Sequence, residues 1–262
     1  MGTTAVAFRD LGGSLARLPL ALWLAWDDIH GKYRRTVLGP LWITIGQAAV
    51  ICGFAVVFSG LFGADPATYL LYLAAGFPIW AMIQQYFVDM PATFVNTRGL
   101  IESYELPWLL QIWRRALGYV ILFMHHISIL LVAMLILGVP PTLSMLLAVP
   151  ALFIVTLAGV GFGLTVAVLG ARFRDLQHAL GVAASFLLLF SPVLWRTEQL
   201  QTNQWVYQFN PLYYFLRLLR DQLLQLPTPV EIWIGTAVGA VALFVLGFVT
   251  FWVSRRNLYH WM

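Results

Sequence analysis

Six stretches of this chain contain no Asp, Glu, Lys or Arg: 41–62, 69–88, 117–137, 146–169, 179–195 and 232–253. A bilayer's hydrocarbon core, about 30 Å thick, takes roughly 20 helical residues to cross. Inside it every backbone polar group needs a partner from its own segment, so each stretch must be a helix. The runs are continuously apolar rather than alternating, which excludes a membrane barrel. The expected fold class is all-α integral membrane, with six transmembrane helices in one domain spanning residues 1–262. The fifth stretch is the shortest and holds Pro192 near its end. Composition agrees: 61% of residues are hydrophobic and 10% charged, whereas soluble domains carry about 25% charged residues.

Charge sets the expected topology. Arg9, Arg17, Lys32, Arg34, Arg35, Arg98, Arg114, Arg115, Arg172, Arg174, Arg255 and Arg256 fall on one side of the six spans. The other side holds only Arg196, Arg217 and Arg220. Positive residues concentrate on the cytoplasmic side of such proteins, so both ends are expected there. The net charge of +4 is scattered between apolar runs and forms no clustered nucleic-acid face. No signal peptide is expected, because apolar Leu18–Trp26 is short, contains Pro19 and runs into Asp27-Asp28 instead of a small-residue cleavage site. The lone Cys52 lies within an apolar run and has no intrachain partner.

Two segments outside the spans have their own pattern. Residues 14–33 place Leu15, Leu18, Leu22, Trp23, Trp26 and Ile29 at helical spacing among charges, the signature of a helix lying on the membrane surface. In 201–226, Asn210 is a helix cap with Pro211 at the first helical position. Leu212, Phe215, Leu216, Leu219 and Leu223 then share one stripe, with Arg217 and Asp221 elsewhere on the wheel. This reads as a re-entrant or interfacial helix at the outer surface.

Little in the chain is equipped for catalysis. A P-loop needs Gly-x-x-x-x-Gly-Lys-Ser/Thr, but the only lysine sits in Gly31-Lys32-Tyr33, with Trp26 at the first glycine's place. No metal-ligand cluster or nucleophile–base spacing is present. His125 and His126 are the only ionisable pair within a span. A proton relay is one reading, but neighbouring residues point about 100° apart on a helix and no carboxylate lies in a span. A neutral packing role fits better. Gly46, Gly53 and Gly60 form a small-residue stripe, and Gly235 and Gly239 a Gly-x-x-x-Gly pair, as at close helix contacts within or between subunits. Phe54, Phe58 and Phe62 line another face of span one. Together with Trp195, Tyr213 and Tyr214 they are candidates for stacking on sugar rings in a channel, with packing or lipid contact as the plainer reading. Trp205, Tyr207 and Phe209 divide the same way.

At the head of span one stands Lys32-Tyr33-Arg34-Arg35-Thr36-Val37-Leu38-Gly39-Pro40-Leu41-Trp42. With its Tyr33, Arg34, Arg35, Gly39, Pro40 and Trp42, this stretch resembles a motif of the ABC-2 type polysaccharide-export permeases, the membrane subunits that export capsules, O-antigens and teichoic acids. Three further stretches resemble the same family: Arg98 to Arg115 after span two, Ala171-Arg172-Phe173-Arg174-Asp175-Leu176 after span four, and Phe209-Asn210-Pro211-Leu212 in the outer segment. The chain departs from the family in the acids Glu102 and Glu105, where a more basic stretch is usual.

The resemblance implies a homodimer bound to two copies of a nucleotide-binding ATPase, which holds the ATP and Mg that this chain lacks a motif for. Asp27, Asp28, His30, Arg98 and Glu102 are placed by it as ATPase-coupling candidates, and Arg172, Arg174 and Asp175 as an inner-surface ion cluster. The implied substrate is a lipid-linked polysaccharide, handed in some cases to a periplasmic or outer-membrane export machine. Against this stand a small-molecule or drug permease of the same type, an ion-coupled secondary transporter and an integral-membrane enzyme. The secondary transporter would need midplane coupling residues beyond the two histidines, and the enzyme would need acids or histidines gathered at one interface.

Overall fold

The computed structural model describes residues 3–34, 36–200 and 202–261. Arg35 of the span-one motif lies outside the described residues, as does the side chain of Tyr33. The described residues form α-helices and short 3₁₀ turns, with no strand among them. In order, the helices are α1 (Thr3–Ala16), α2 (Leu18–Tyr33), α3 (Leu41–Phe62), α4 (Pro66–Val88), α5 (Thr93–Tyr104), α6 (Trp108–Ile136), α7 (Ala148–Arg172), α8 (Leu176–Phe190), α9 (Trp205–Gln208), α10 (Pro211–Leu223), α11 (Val230–Ser254) and α12 (Leu258–Trp261).

Five helical runs are long and apolar enough to cross a membrane: Leu41–Phe62, Pro66–Tyr104, Trp108–Ile136, Leu143–Arg172 and Val230–Ser254. Helix α8, in the place of the fifth expected span, has 15 residues, about 22 Å at 1.5 Å per residue. Other boundaries also move. The second run continues through a 3₁₀ turn at Met90–Ala92 into α5, and α6 starts at Trp108 and includes Arg114 and Arg115. Loss of lipid does not end a helix; loss of its hydrogen-bond ladder does.

Where the ladder ends, local chemistry shows why. Gly39, at φ 55°, turns the chain in the left-handed region that suits glycine, and Pro40 leads into α3. Gly63, at φ 59°, ends it with its N–H on the Ser59 carbonyl. Asp65 caps α4 by accepting from the Thr68 N–H at 2.9 Å. Asn210 caps α10 as the sequence leads one to expect, accepting from the Leu212 N–H at 3.0 Å.

Helices α7 and α11 form the tightest pair, and glycine is the reason. A Cβ on Gly161 would lie 2.3 Å from the Phe244 backbone nitrogen, and one on Gly247 2.3 Å from the Gly161 carbonyl oxygen. The same helix meets Pro91 at Gly170 and the Tyr86 ring at Gly159. By contrast, Gly46, Gly53 and Gly60 of span one meet nothing within 4 Å among the described residues, and neither does Gly235. Gly239 meets only Phe215, at 3.5 Å.

The surface helix differs from expectation. It is two helices, α1 and α2, parting at Arg17. The face that α2 buries is Ala21, Ala25 and Ile29, packed on α6, while Leu15, Leu22, Trp23 and Trp26 are exposed. Small residues allow close helix approach, and the large apolar ones are left to face outward.

Candidate functional site

The two ends of the helical bundle have different chemistry. At the arginine-rich end, the Asp10 carboxylate accepts from the Trp108 and Leu109 N–H groups at 3.1 and 3.0 Å, so a residue of α1 caps α6. It also pairs with Arg255 at 3.6 Å, whose guanidinium lies over the Trp108 ring, 4.6 Å from its centroid. Asp10 is 8% exposed. Burial raises its pKa above the usual carboxylate value, and the two backbone N–H groups and Arg255 pull the other way. Nearby, Arg114 grips Asp28 through two nitrogens, at 2.7 and 2.5 Å, and so ties α2 to α6.

The coupling candidates therefore separate. Asp28 is committed to Arg114, Arg98 and Glu102 pair with each other at 2.9 Å across one helical turn, and Asp27 is exposed. His30 Nδ1 lies 3.1 Å from the Trp26 carbonyl. Trp42 of the motif is 49% exposed. The expected ion cluster of Arg172, Arg174 and Asp175 does not form. Among the described residues none of the three is in an ion pair, and the Arg172 guanidinium instead lies over the rings of Phe173 and Trp261. An aromatic face is a favourable seat for a guanidinium next to lipid. Inside α6, His125 Nδ1 lies 2.9 Å from the Ile121 carbonyl one turn back, and His126 is buried.

At the opposite end a cavity of about 680 Å³ opens between α4, α10 and the 196–208 segment. Its wall includes Tyr72, Arg196, Tyr207, Tyr213, Tyr214, Arg217, Arg220 and Asp221. Arg220 is 6% exposed, and one of its terminal nitrogens donates to the Tyr72 oxygen and the Pro192 carbonyl, both at 2.6 Å. The Tyr72 oxygen is itself 2.7 Å from the Pro192 and Trp195 carbonyls, and Tyr69 donates to the Leu194 carbonyl. These bonds hold the turn after α8 against α4. Arg217 bonds both Asp221 (3.2 Å) and the Tyr213 hydroxyl (3.1 Å). Burial raises the Asp221 pKa, against the pull of Arg220 and Arg217.

A row of rings leads to this cavity from within the bundle. Phe77 of α4 packs on Phe54 at 5.5 Å between centroids, followed by Phe54–Phe58 at 5.6 Å, Phe58–Phe62 at 5.8 Å, Phe62–Tyr69 at 6.3 Å and Tyr69–Tyr72 at 6.1 Å. Phe54 and Phe58 are half-buried against α4 while Phe62 is exposed. A second series runs from Trp195, beside the cavity, through Tyr207 and Tyr213 to Tyr214 of its wall.

Sequence reasoning named Phe54, Phe58, Phe62, Trp195, Tyr213 and Tyr214, and it placed Arg217 and Asp221 on a polar face. It missed the buried Arg220, its partner Tyr72, and Asp10. One signal was available: Tyr69 and Tyr72 share a helix face at i and i+3 near the only three arginines of that end.

No curated protein matches the sequence. The family model described as ABC-2 type transporter matches residues 20–224, which takes in the span-one motif, the ring row and most of the cavity wall. The chain belongs to the ABC-2 type transporter family, as a membrane-spanning permease component.

Proposed function

We propose that this chain is the transmembrane subunit of an ATP-driven exporter that moves a lipid-linked polysaccharide of capsular or O-antigen type out of the cytoplasm. In this reading α8 completes six spans, both ends and the arginine-rich face are cytoplasmic, and the protein sits in the inner membrane as a homodimer. Two copies of a separate ATPase supply ATP and Mg chemistry and engage the exposed parts of α2 and α5, around Asp27, His30 and the Arg98–Glu102 pair.

The observation that carries the substrate class is the ring row from Phe77 through Phe54, Phe58 and Phe62 to Tyr69 and Tyr72, which ends in a cavity that is both aromatic and polar. Sugar rings present C–H faces to aromatic rings and hydroxyls to polar groups, and many weak seats let a polymer bind and still slide. The least covered of the long apolar helices is α3, which buries Ile51, Ala55 and Ser59, and the shorter α8 buries Ala184. Spans one and five of two subunits would then close the conduit between them. Replacing Phe54 and Phe58 together with alanine should lower surface polysaccharide while the ATPase still co-purifies. Undiminished polysaccharide in that double variant would remove both residues from the route.

One feature favours a smaller, greasier cargo: an apolar chamber of about 390 Å³ lined by Ile83, Phe87, Phe162, Leu187, Phe215 and Leu243. Drug-sized ligands occupy pockets of about 300–1,000 Å³. Leu187→Trp would fill that chamber. Loss of drug resistance with polysaccharide export intact would favour the small-molecule reading.

A further inference from the structure

We infer that the cavity at the arginine-poor end is a subsite for an acidic sugar unit, a hexuronate-type ring, with Arg196 as the cation that meets its carboxylate and the partly exposed Tyr207 as the ring that stacks on it. The inference rests on the polysaccharide reading and deepens it, because a neutral polymer needs no such cation.

The charges in the cavity are unequal in availability. Asp221 is paired with Arg217, and Arg220 is spent on the Tyr72 oxygen and the Pro192 carbonyl. Glu198 is exposed and accepts from the neighbouring Thr197 hydroxyl. Arg196 has no ion pair among the described residues, and its buried Nε has no hydrogen-bond partner. Its guanidinium lies 5.6 and 5.3 Å from the centroids of Tyr69 and Tyr72, and the exposed Asp65 carboxylate acts on it through space without forming an ion pair. A guanidinium fixed by stacking and engaged in no ion pair is preorganised for a carboxylate or phosphate, which its terminal nitrogens can meet with two parallel bonds. Three arginines against Glu198 and Asp221 leave the wall one positive charge in excess.

The rings select a sugar over a bare anion. Tyr207 and Tyr213 stand edge to face at 5.1 Å, next to Trp195, and Gln208 adds amide hydrogen-bonding groups to the wall. The volume of about 680 Å³ accommodates more than a phosphate ion.

The test is calorimetric titration of the full chain in nanodiscs of neutral lipid, with a galacturonate hexamer, the neutral α-1,4-linked hexamer maltohexaose, and inorganic phosphate as probes. The hexuronate should bind at least about tenfold more tightly than maltohexaose and weaken as salt is raised. Arg196→Gln should lose about tenfold, the scale of one charge-assisted hydrogen bond, while Arg196→Lys keeps part of it. Tyr207→Ala should weaken the hexuronate without creating any preference for the neutral oligomer. Equal binding of maltohexaose, an unchanged Arg196→Gln titration, or phosphate binding as tightly as hexuronate would each overturn the assignment. None of those results touches the exporter reading, which fails separately if deletion of the chain leaves surface polysaccharide unchanged or if no ATPase co-purifies with it.

Discussion

Asp10 shows how one side chain can hold an end of the bundle together. Its carboxylate terminates α6, pairs with the end of α11 and belongs to α1. Removing it leaves two backbone donors without an acceptor and a largely buried guanidinium without its counter-ion. Breaking a buried pair from one side costs about 3–5 kcal/mol, so Asp10→Ala should lower the thermal midpoint of the detergent-solubilised protein far more than Asp27→Ala, whose carboxylate is exposed. Burial also raises the Asp10 pKa, so the folded protein holds this proton more tightly than the unfolded chain does. The contribution of the group to stability is then greatest below the unfolded value of about 3.9 and declines as pH climbs through the raised folded value. The stability of wild type relative to Asp10→Asn should shrink as pH rises from about 4. A difference that grows with pH would contradict the assignment.

Among the helices, glycine position separates contacts made within the subunit from faces left open. Gly170 sits where a Cβ would be 2.2 Å from the Pro91 carbonyl oxygen. Backbone meets backbone there, so no rotamer change can relieve the clash. Gly170→Ala should destabilise the isolated protein by about 1–3 kcal/mol. Gly53 has nothing within 4 Å among the described residues, and Gly53→Leu should leave that stability unchanged while reducing chemical crosslinking between subunits of the proposed homodimer. Equal damage from both substitutions would mean that α3 packs inside its own subunit. Sequence spacing drew attention to the regular stripe in α3, yet the closest contacts belong to Gly161 and Gly170 of α7 and Gly247 of α11. Periodicity reports which residues share a face and is silent on what that face meets.

Taken together, the protein is a bundle with an arginine-rich end built for ion pairs and caps, and an opposite end built around tyrosines and three arginines. The proposed orientation is open to labelling. In a Cys52→Ser background, Gly12→Cys and Arg256→Cys should react with an impermeant maleimide only after permeabilisation, and Gln225→Cys should react in intact cells. The reverse pattern would place the acidic-sugar subsite on the cytoplasmic side and undo the export direction. Purified alone, the chain should turn over no ATP, since its only lysine lies outside any phosphate-binding loop.

Apolar runs free of charge were enough to read helices at α3, α4, α6, α7, α8 and α11, because in lipid no other backbone arrangement satisfies itself. The boundaries of α3 and the Asn210–Pro211 start of α10 were legible for the same kind of reason: the signals are local. Arg220 was not. Its burial depends on the Tyr72 hydroxyl and the Pro192 carbonyl, which lie 148 and 28 residues away along the chain. The outward turn of Trp23 and Trp26 depends likewise on α6 taking the alanine face of α2. Local chemistry settles whether a segment is a helix and where it stops. Which polar groups can be buried is settled only when distant segments bring the partners that replace water.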